Sequence, residues 1–117
     1  MKINLVLAPM WNHRYPPISL GYLTAYLRDH GHTIFPFDLN IELHHITDKK
    51  ELWETDYYGW ERPDILLKEG IVTEALLAKW TERLLKSGAD LTGFSIYNSS
   101  EAISLMLAER LKAAPSR

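Results

Sequence analysis

A chain of 117 residues with 46% hydrophobic and 24% charged content has the size and balance of one folded domain, not of a disordered segment. Its formal net charge of −2 comes with no basic stripe, which argues against duplex nucleic acid, and no apolar run reaches the roughly 18 residues of a membrane span. There is no cysteine, so disulfides, thiolate metal sites and cysteine-held iron–sulfur clusters are excluded from this chain.

Lys2 to Pro9 reads as a short apolar strand that stops at a proline. It begins without a signal-peptide pattern, from which a cytoplasmic protein is expected. After Pro16 and Pro17 comes a helix, with Ser19 expected as its N-cap and Leu20, Leu23, Thr24 and Leu27 on one face. His30 sits in its last turn as a cation near a helix C-terminus, and Gly31 takes the left-handed position beyond it. A second strand spans about 33–38. Pro36 cannot donate to a ladder, so this is expected to be an edge strand.

Residues 39 to about 70 read as an aromatic and acidic insertion, with short helical pieces near 48–55 and 63–69. Glu42, Asp48, Glu51, Glu54, Asp56, Glu61, Asp64 and Glu69 outnumber Lys49, Lys50, Arg62 and Lys68. Trp53, Tyr57, Tyr58 and Trp60 suit packing or docking better than a lid. Val72 to Lys86 is a second long helix with Leu76, Leu77, Trp80, Leu84 and Leu85 on its apolar face, stopped by Gly88. Asp90 to Ile96 is a third strand. Asn98 or Ser99 then caps a third long helix, Asn98 with Glu101 approximating a capping box, and Ile103, Met106, Leu107 and Leu111 form its apolar face.

Strands alternating with helices imply an α/β fold: a Rossmann-like, flavodoxin-like parallel sheet with helices on both faces, in the order 2-1-3. The pattern stops after the third strand–helix unit, so residues 1–117 read as a single domain or a fragment of one. The third strand is then an open edge for self-association.

Ligands in such sheets bind at the carboxyl ends of the strands. Three segments fall there. The loop after strand one carries Pro9, Trp11, Asn12, His13, Tyr15 and Ser19, with Gly21 allowing close backbone approach. The end of strand three carries Ser95, Tyr97, Asn98 and Ser99, whose hydroxyl and amide groups suit a nucleotide tail or an amide-rich ring. The end of strand two carries Asp38 and Asn40, a ribose-binding pair or, the favoured reading, a turn-forming one. His44 and His45 are adjacent and diverge on a helix, which disfavours zinc. No catalytic residue stands out, because no carboxylate is paired with a nucleophile or activated group. There is no GxGxxG motif, no Walker lysine loop and no serine/threonine–glycine run for a flavin phosphate.

Strand one with Pro9, then Pro16-Pro17, Leu20-Gly21-Tyr22-Leu23, Leu27-Arg28, Gly31-His32 and Asp38, resembles the N-terminal cobalamin (B12)-binding-type domain of B12-dependent radical SAM enzymes. Thr92-Gly93-Phe94-Ser95-Ile96, followed by Ala102, Leu107-Ala108 and Leu111-Lys112, is similar to that family's third strand and following helix. The resemblance covers about 2–38 and 88–113. It implies a cobalamin-binding module, not catalytic alone, with Pro9, Trp11, Asn12, Tyr15, Ser19, Gly21, Asp38, Ser95, Tyr97, Asn98 and Ser99 as cofactor-binding residues. The 4Fe–4S cluster, S-adenosylmethionine and methyl-transfer chemistry would belong to a parent enzyme and its downstream radical SAM domain. The Asp-x-His-x-x-Gly loop of cobalamin mutases is absent, so a histidine ligand to cobalt is not expected. The alternative is a cofactor-free Rossmann-like domain that assembles through its open edge or its insertion.

Overall fold

A computed structural model describes residues 1–114; Pro115–Arg117 lie outside the described residues. Strands β1 (Lys2–Leu7), β2 (Thr33–Asp38) and β3 (Leu91–Phe94) form a parallel sheet in the order β2-β1-β3. This is the expected Rossmann-like unit, with β1 at the centre, where both its neighbours run parallel to it.

The alternation of β1 separates two layers. Ile3, Leu5 and Leu7 face one side and pack with Ile34 and with Leu20 of helix α1 (Ile18–Asp29). Val6 and Ala8 face the other and join the larger core. That core is filled by α4 (Glu74–Lys86) through Leu77, Trp80 and Leu84, and by α5 (Glu101–Ala113) through Ile103 and Leu107. Asn4 points to the same side and is buried, its amide donating to the Leu84 carbonyl (3.0 Å) and to Thr92 Oγ1 (3.3 Å). A polar side chain there fixes the register of α4 on the sheet.

Several expected boundaries move, each for a local reason. Ser19 lies inside α1 and does not cap it; Pro17 holds the N-cap position and the Ser19 hydroxyl turns to Tyr97. Leu23 is 38% exposed; α1 meets the sheet-side cluster through Leu20 and Leu27. Helix α4 starts at Glu74, where the Thr73 side chain accepts from the Leu76 amide; buried Val72 precedes it. Strand β3 ends at Phe94, although the Ser95 amide still donates to the Val6 carbonyl (2.9 Å). Neither Asn98 nor Ser99 caps α5, and no capping box forms with Glu101. Ser100 is the N-cap, and its hydroxyl accepts from the Tyr97 amide instead.

The stretch expected as an insertion is part of the core. It folds as α2 (Leu39–Ile46), two 3-10 turns (Lys50–Trp53 and Tyr58–Glu61) and α3 (Pro63–Lys68). Leu39, Leu43, Trp53, Trp60 and Leu66 are all buried with the α4–α5 layer. Arg83 of α4 grips Glu42 of α2 (2.7 Å) and stacks over the Phe37 ring, 5.6 Å from its centroid. Gly31, at φ +85°, supplies the left-handed residue that releases the chain from α1 into β2. Pro36 lies on an edge strand as its missing N–H requires. β3 is the other edge, with Leu91 54% exposed. Among the described residues no helix is long and apolar enough to cross a membrane.

Candidate functional site

The order β2-β1-β3 puts the strand-order switch between β1 and β3, so the loops following those strands meet at the carboxyl edge. They meet directly. The Met10 amide donates to the Ser99 carbonyl (3.2 Å), and the Ser99 hydroxyl donates back to the Met10 carbonyl (2.7 Å). The Trp11 ring stacks against Tyr97 with centroids 6.2 Å apart, and the Tyr97 hydroxyl shares a hydrogen bond with Ser19 (3.3 Å). Trp11, Ser19, Tyr97 and Ser99 therefore form one cluster drawn from the β1 loop, the first turn of α1 and the β3 loop.

The other candidates are distributed around it. Pro9 is buried, and the peptide joining it to Met10 is cis. Asn12 closes a local turn by accepting from the Arg14 amide (2.6 Å). Tyr15 is exposed on the loop surface, and Gly21 lies on the outer surface of α1, where a Cβ would meet no atom within 4 Å. Ser95 uses its backbone to hold β1, and Asn98 lines a cleft described below. Asp38 stands at the end of β2, where its carboxylate faces the Ile41 and Asn40 amides. It is the N-cap of α2, accepting from the Ile41 amide (3.0 Å). Burial and the nearby Glu42 push its carboxyl above the usual range, against the lowering effect of the Ile41 and Asn40 amides.

Asn40 does the most to shape this edge. It is 2% exposed, and its Oδ1 accepts from the Trp11 amide (2.9 Å) and from Trp53 Nε1–H (3.0 Å), while Nδ2 donates to the Asn12 carbonyl (3.4 Å). One side chain thus ties the β1 loop to the insertion. A second tie lies alongside. Glu54 accepts from Arg14 (2.6 Å) and meets His13 Nε2 (3.1 Å), and the His13 ring stacks on His44 at 4.3 Å. His44 in turn meets the edge of Trp53 at 5.1 Å. Burial first, then His13, Lys50 and His45, lowers the His44 pKa, which Glu54 only partly offsets.

Among the described residues no group of three or more His, Cys, Asp or Glu side chains is placed to hold an ion. His44 and His45 diverge as adjacent helical residues do, their rings edge-to-face at 6.4 Å. His30 is the C-cap of α1, its Nδ1 2.8 Å from the Tyr26 carbonyl. Of the four aromatics in the insertion, Trp53 and Trp60 are buried packing groups, whereas Tyr58 is exposed. The role of Asn40 was partly legible: Asp38 followed by Leu39 and Leu43 is a capped helix start, and a helix there turns Asn40 inward.

Searched against family models, curated proteins and solved structures, the chain finds no match in any of the three.

Proposed function

We propose that this chain is the cobalamin-binding-type accessory module of a radical SAM enzyme, one that binds and orients a cofactor while the parent's other domains carry the reaction. The observation behind the proposal is the meeting of the β1 and β3 loops at the switch point. There Trp11, Ser19, Tyr97 and Ser99, four of the residues that the resemblance implies as cofactor-binding, converge on the edge where α/β sheets take ligands.

The residues present fit a broad, flat group lying across the rim. Gly21 leaves open space on the first turns of α1, and Tyr15 and Ile18 are exposed. They do not fit a group threaded between β1 and β3, because the reciprocal Met10–Ser99 bonds occupy that gap. Trp11, Tyr15 and Tyr97 would supply apolar contact, and Ser19 and Asn98 hydrogen bonds. His13 is engaged by Glu54 and His44, so the chain offers no free histidine for cobalt there. When bound, the cobalt supplies methyl-carrying chemistry; the chain holds and orients.

The second reading is a cofactor-free interaction domain. It is favoured by the β3 edge, where Leu91 is 54% and Ile96 52% exposed beside unpaired strand backbone. A visible-absorption titration with hydroxocobalamin, read after gel filtration, decides between them. Co-elution with a shifted corrin spectrum is the expected result. An unchanged spectrum with no retained cofactor, together with a dimeric elution volume, overturns the first reading in favour of the second.

A further inference from the structure

Next to the Met10–Ser99 junction the carboxyl edge opens into a cleft of about 530 Å³, bounded by residues 55–61 on one side and 97–99 on the other. Small-molecule sites run from about 300 to 1,000 Å³. One wall is aromatic. The Tyr57 ring lies 5.7 Å from Tyr58 and 6.3 Å, edge-on, from Trp60. Trp60 is buried, and its Nε1–H donates to the Leu52 carbonyl (3.2 Å), so this wall is anchored to the core.

The charge of the cleft has one sign. Asp56 and Glu61 line it, and among the described residues no lysine, arginine or histidine does. The basic residues nearby in sequence are engaged elsewhere, Arg14 with Glu54 and Arg62 with Asp64. Among the described residues neither Asp56 nor Glu61 enters an ion pair. The Asn98 side-chain amide, on the opposite wall, makes no hydrogen bond to another described residue. Glu61 and Asn98 also border an adjoining depression of about 240 Å³ that includes Glu101, which extends the acidic surface.

Aromatic faces are negative and attract cations, and uncompensated carboxylates in the same concavity add to that field. The same charges repel phosphates and carboxylates. We infer that this cleft binds a small organic cation, an amine or quaternary ammonium group seated against Tyr57 and Tyr58, neutralised by Asp56 and Glu61 and hydrogen-bonded by the Asn98 amide. The inference does not depend on cobalamin binding: the cleft shares Tyr97, Asn98 and Ser99 with the rim, but the carboxylates and rings that recognise the cation, Asp56, Glu61, Tyr57 and Tyr58, are not among the cofactor-binding residues.

The test is amide chemical-shift mapping with choline, with its neutral isostere 3,3-dimethyl-1-butanol and with acetate. Choline shifts amides of 55–61 and 97–99 saturably, in the millimolar range set by a few weak contacts, and binds about tenfold more tightly than the isostere. Acetate gives no shifts there. Asp56→Asn combined with Glu61→Gln removes the preference for choline. Tyr58→Ala, at an exposed position where folding is not at stake, weakens choline several-fold, whereas Asp64→Asn outside the cleft does not. Equal binding of choline and its isostere, or no saturable shift with choline, overturns the inference. Either result leaves the hydroxocobalamin titration standing, because that probe is read by corrin absorbance and retention, and the Trp11, Tyr15 and Ser19 side chains it also engages do not line this cleft.

Discussion

Replacing Asn40 with alanine removes the one acceptor shared by the Trp11 amide and the Trp53 indole. The two donors are not equally sheltered. Trp53 is 8% exposed, so its Nε1–H loses a partner with no access to water; Trp11 is half-buried, so its amide is partly rehydrated. An orphaned buried donor costs about 1–3 kcal/mol. The indole takes the upper part of that range and the amide the lower, and the longer 3.4 Å bond to Asn12 adds little. The total is about 2–4 kcal/mol, a large share of the roughly 5–15 kcal/mol that holds a domain of this size. Urea unfolding of Asn40→Ala should show that loss as a lower midpoint with an unchanged slope. A cycle isolates the cause. In a Trp53→Phe background the indole donor is gone, so Asn40→Ala should cost about 1–2 kcal/mol less than it does in the native chain. A loss under about 1 kcal/mol, or no coupling in the cycle, would refute the assignment of Asn40 as the clamp between the β1 loop and the insertion.

His44 titrates below 6.5 in the folded chain, so between its folded value and 6.5 the unfolded chain binds more protons and stability drains away as the pH falls through that window. His44→Phe keeps a ring against His13 and Trp53 but cannot titrate. It should flatten the pH dependence of the urea midpoint below 6.5; parallel curves for the two proteins would remove His44 from the argument. Gly59 lies under the Tyr57 ring, and an added Cβ would overlap that ring. Gly59→Ala should therefore swing Tyr57 outward at a cost of about 1–2 kcal/mol and alter the near-ultraviolet circular dichroism of the Tyr57–Trp60 pair; an unchanged spectrum would mean the ring is placed by something else.

The sheet order was legible because its determinants are local. Pro36 forbids a central position for β2, Gly31 and Gly88 end the helices before β2 and β3, and right-handed crossovers leave little choice of order. Cap identities were less legible. Ser19, Asn98 and Ser99 are all competent caps, but the two serine hydroxyls are turned elsewhere, Ser19 to Tyr97 and Ser99 to Met10, and Asn98 lines the cleft. For the two serines those partners lie many residues away, and a tertiary bond outcompetes a local one of similar strength. The segment 39–70 read as peripheral because its apolar residues are spread among charges without a sustained period. Four short elements, each burying one or two of Leu39, Leu43, Trp53, Trp60 and Leu66, leave no periodic signature even though together they supply five of the fifteen buried residues of the larger core.

That packing changes what the carboxyl edge can do. A loop held only at its ends would move independently of the insertion. Here Asn40 fastens residues 11 and 12 to Trp53, Glu54 fastens residues 13 and 14, and Trp53 packs edge-on against Trp60 at 4.9 Å, the indole that backs the acidic cleft. The Trp11–Tyr97 rim and the cleft beside it are therefore connected through one buried chain of side chains, Asn40–Trp53–Trp60. A ligand that displaces the β1 loop must either break bonds to Asn40 or carry Trp53 with it, and in the second case the cleft changes shape as well. Choline titrated into Asn40→Ala gives this coupling a direct readout: if the clamp holds both surfaces in register, amide shifts at 55–61 should broaden or move even though Asn40 does not line the cleft. A variant whose choline shifts match those of the native chain would show that the two surfaces act separately.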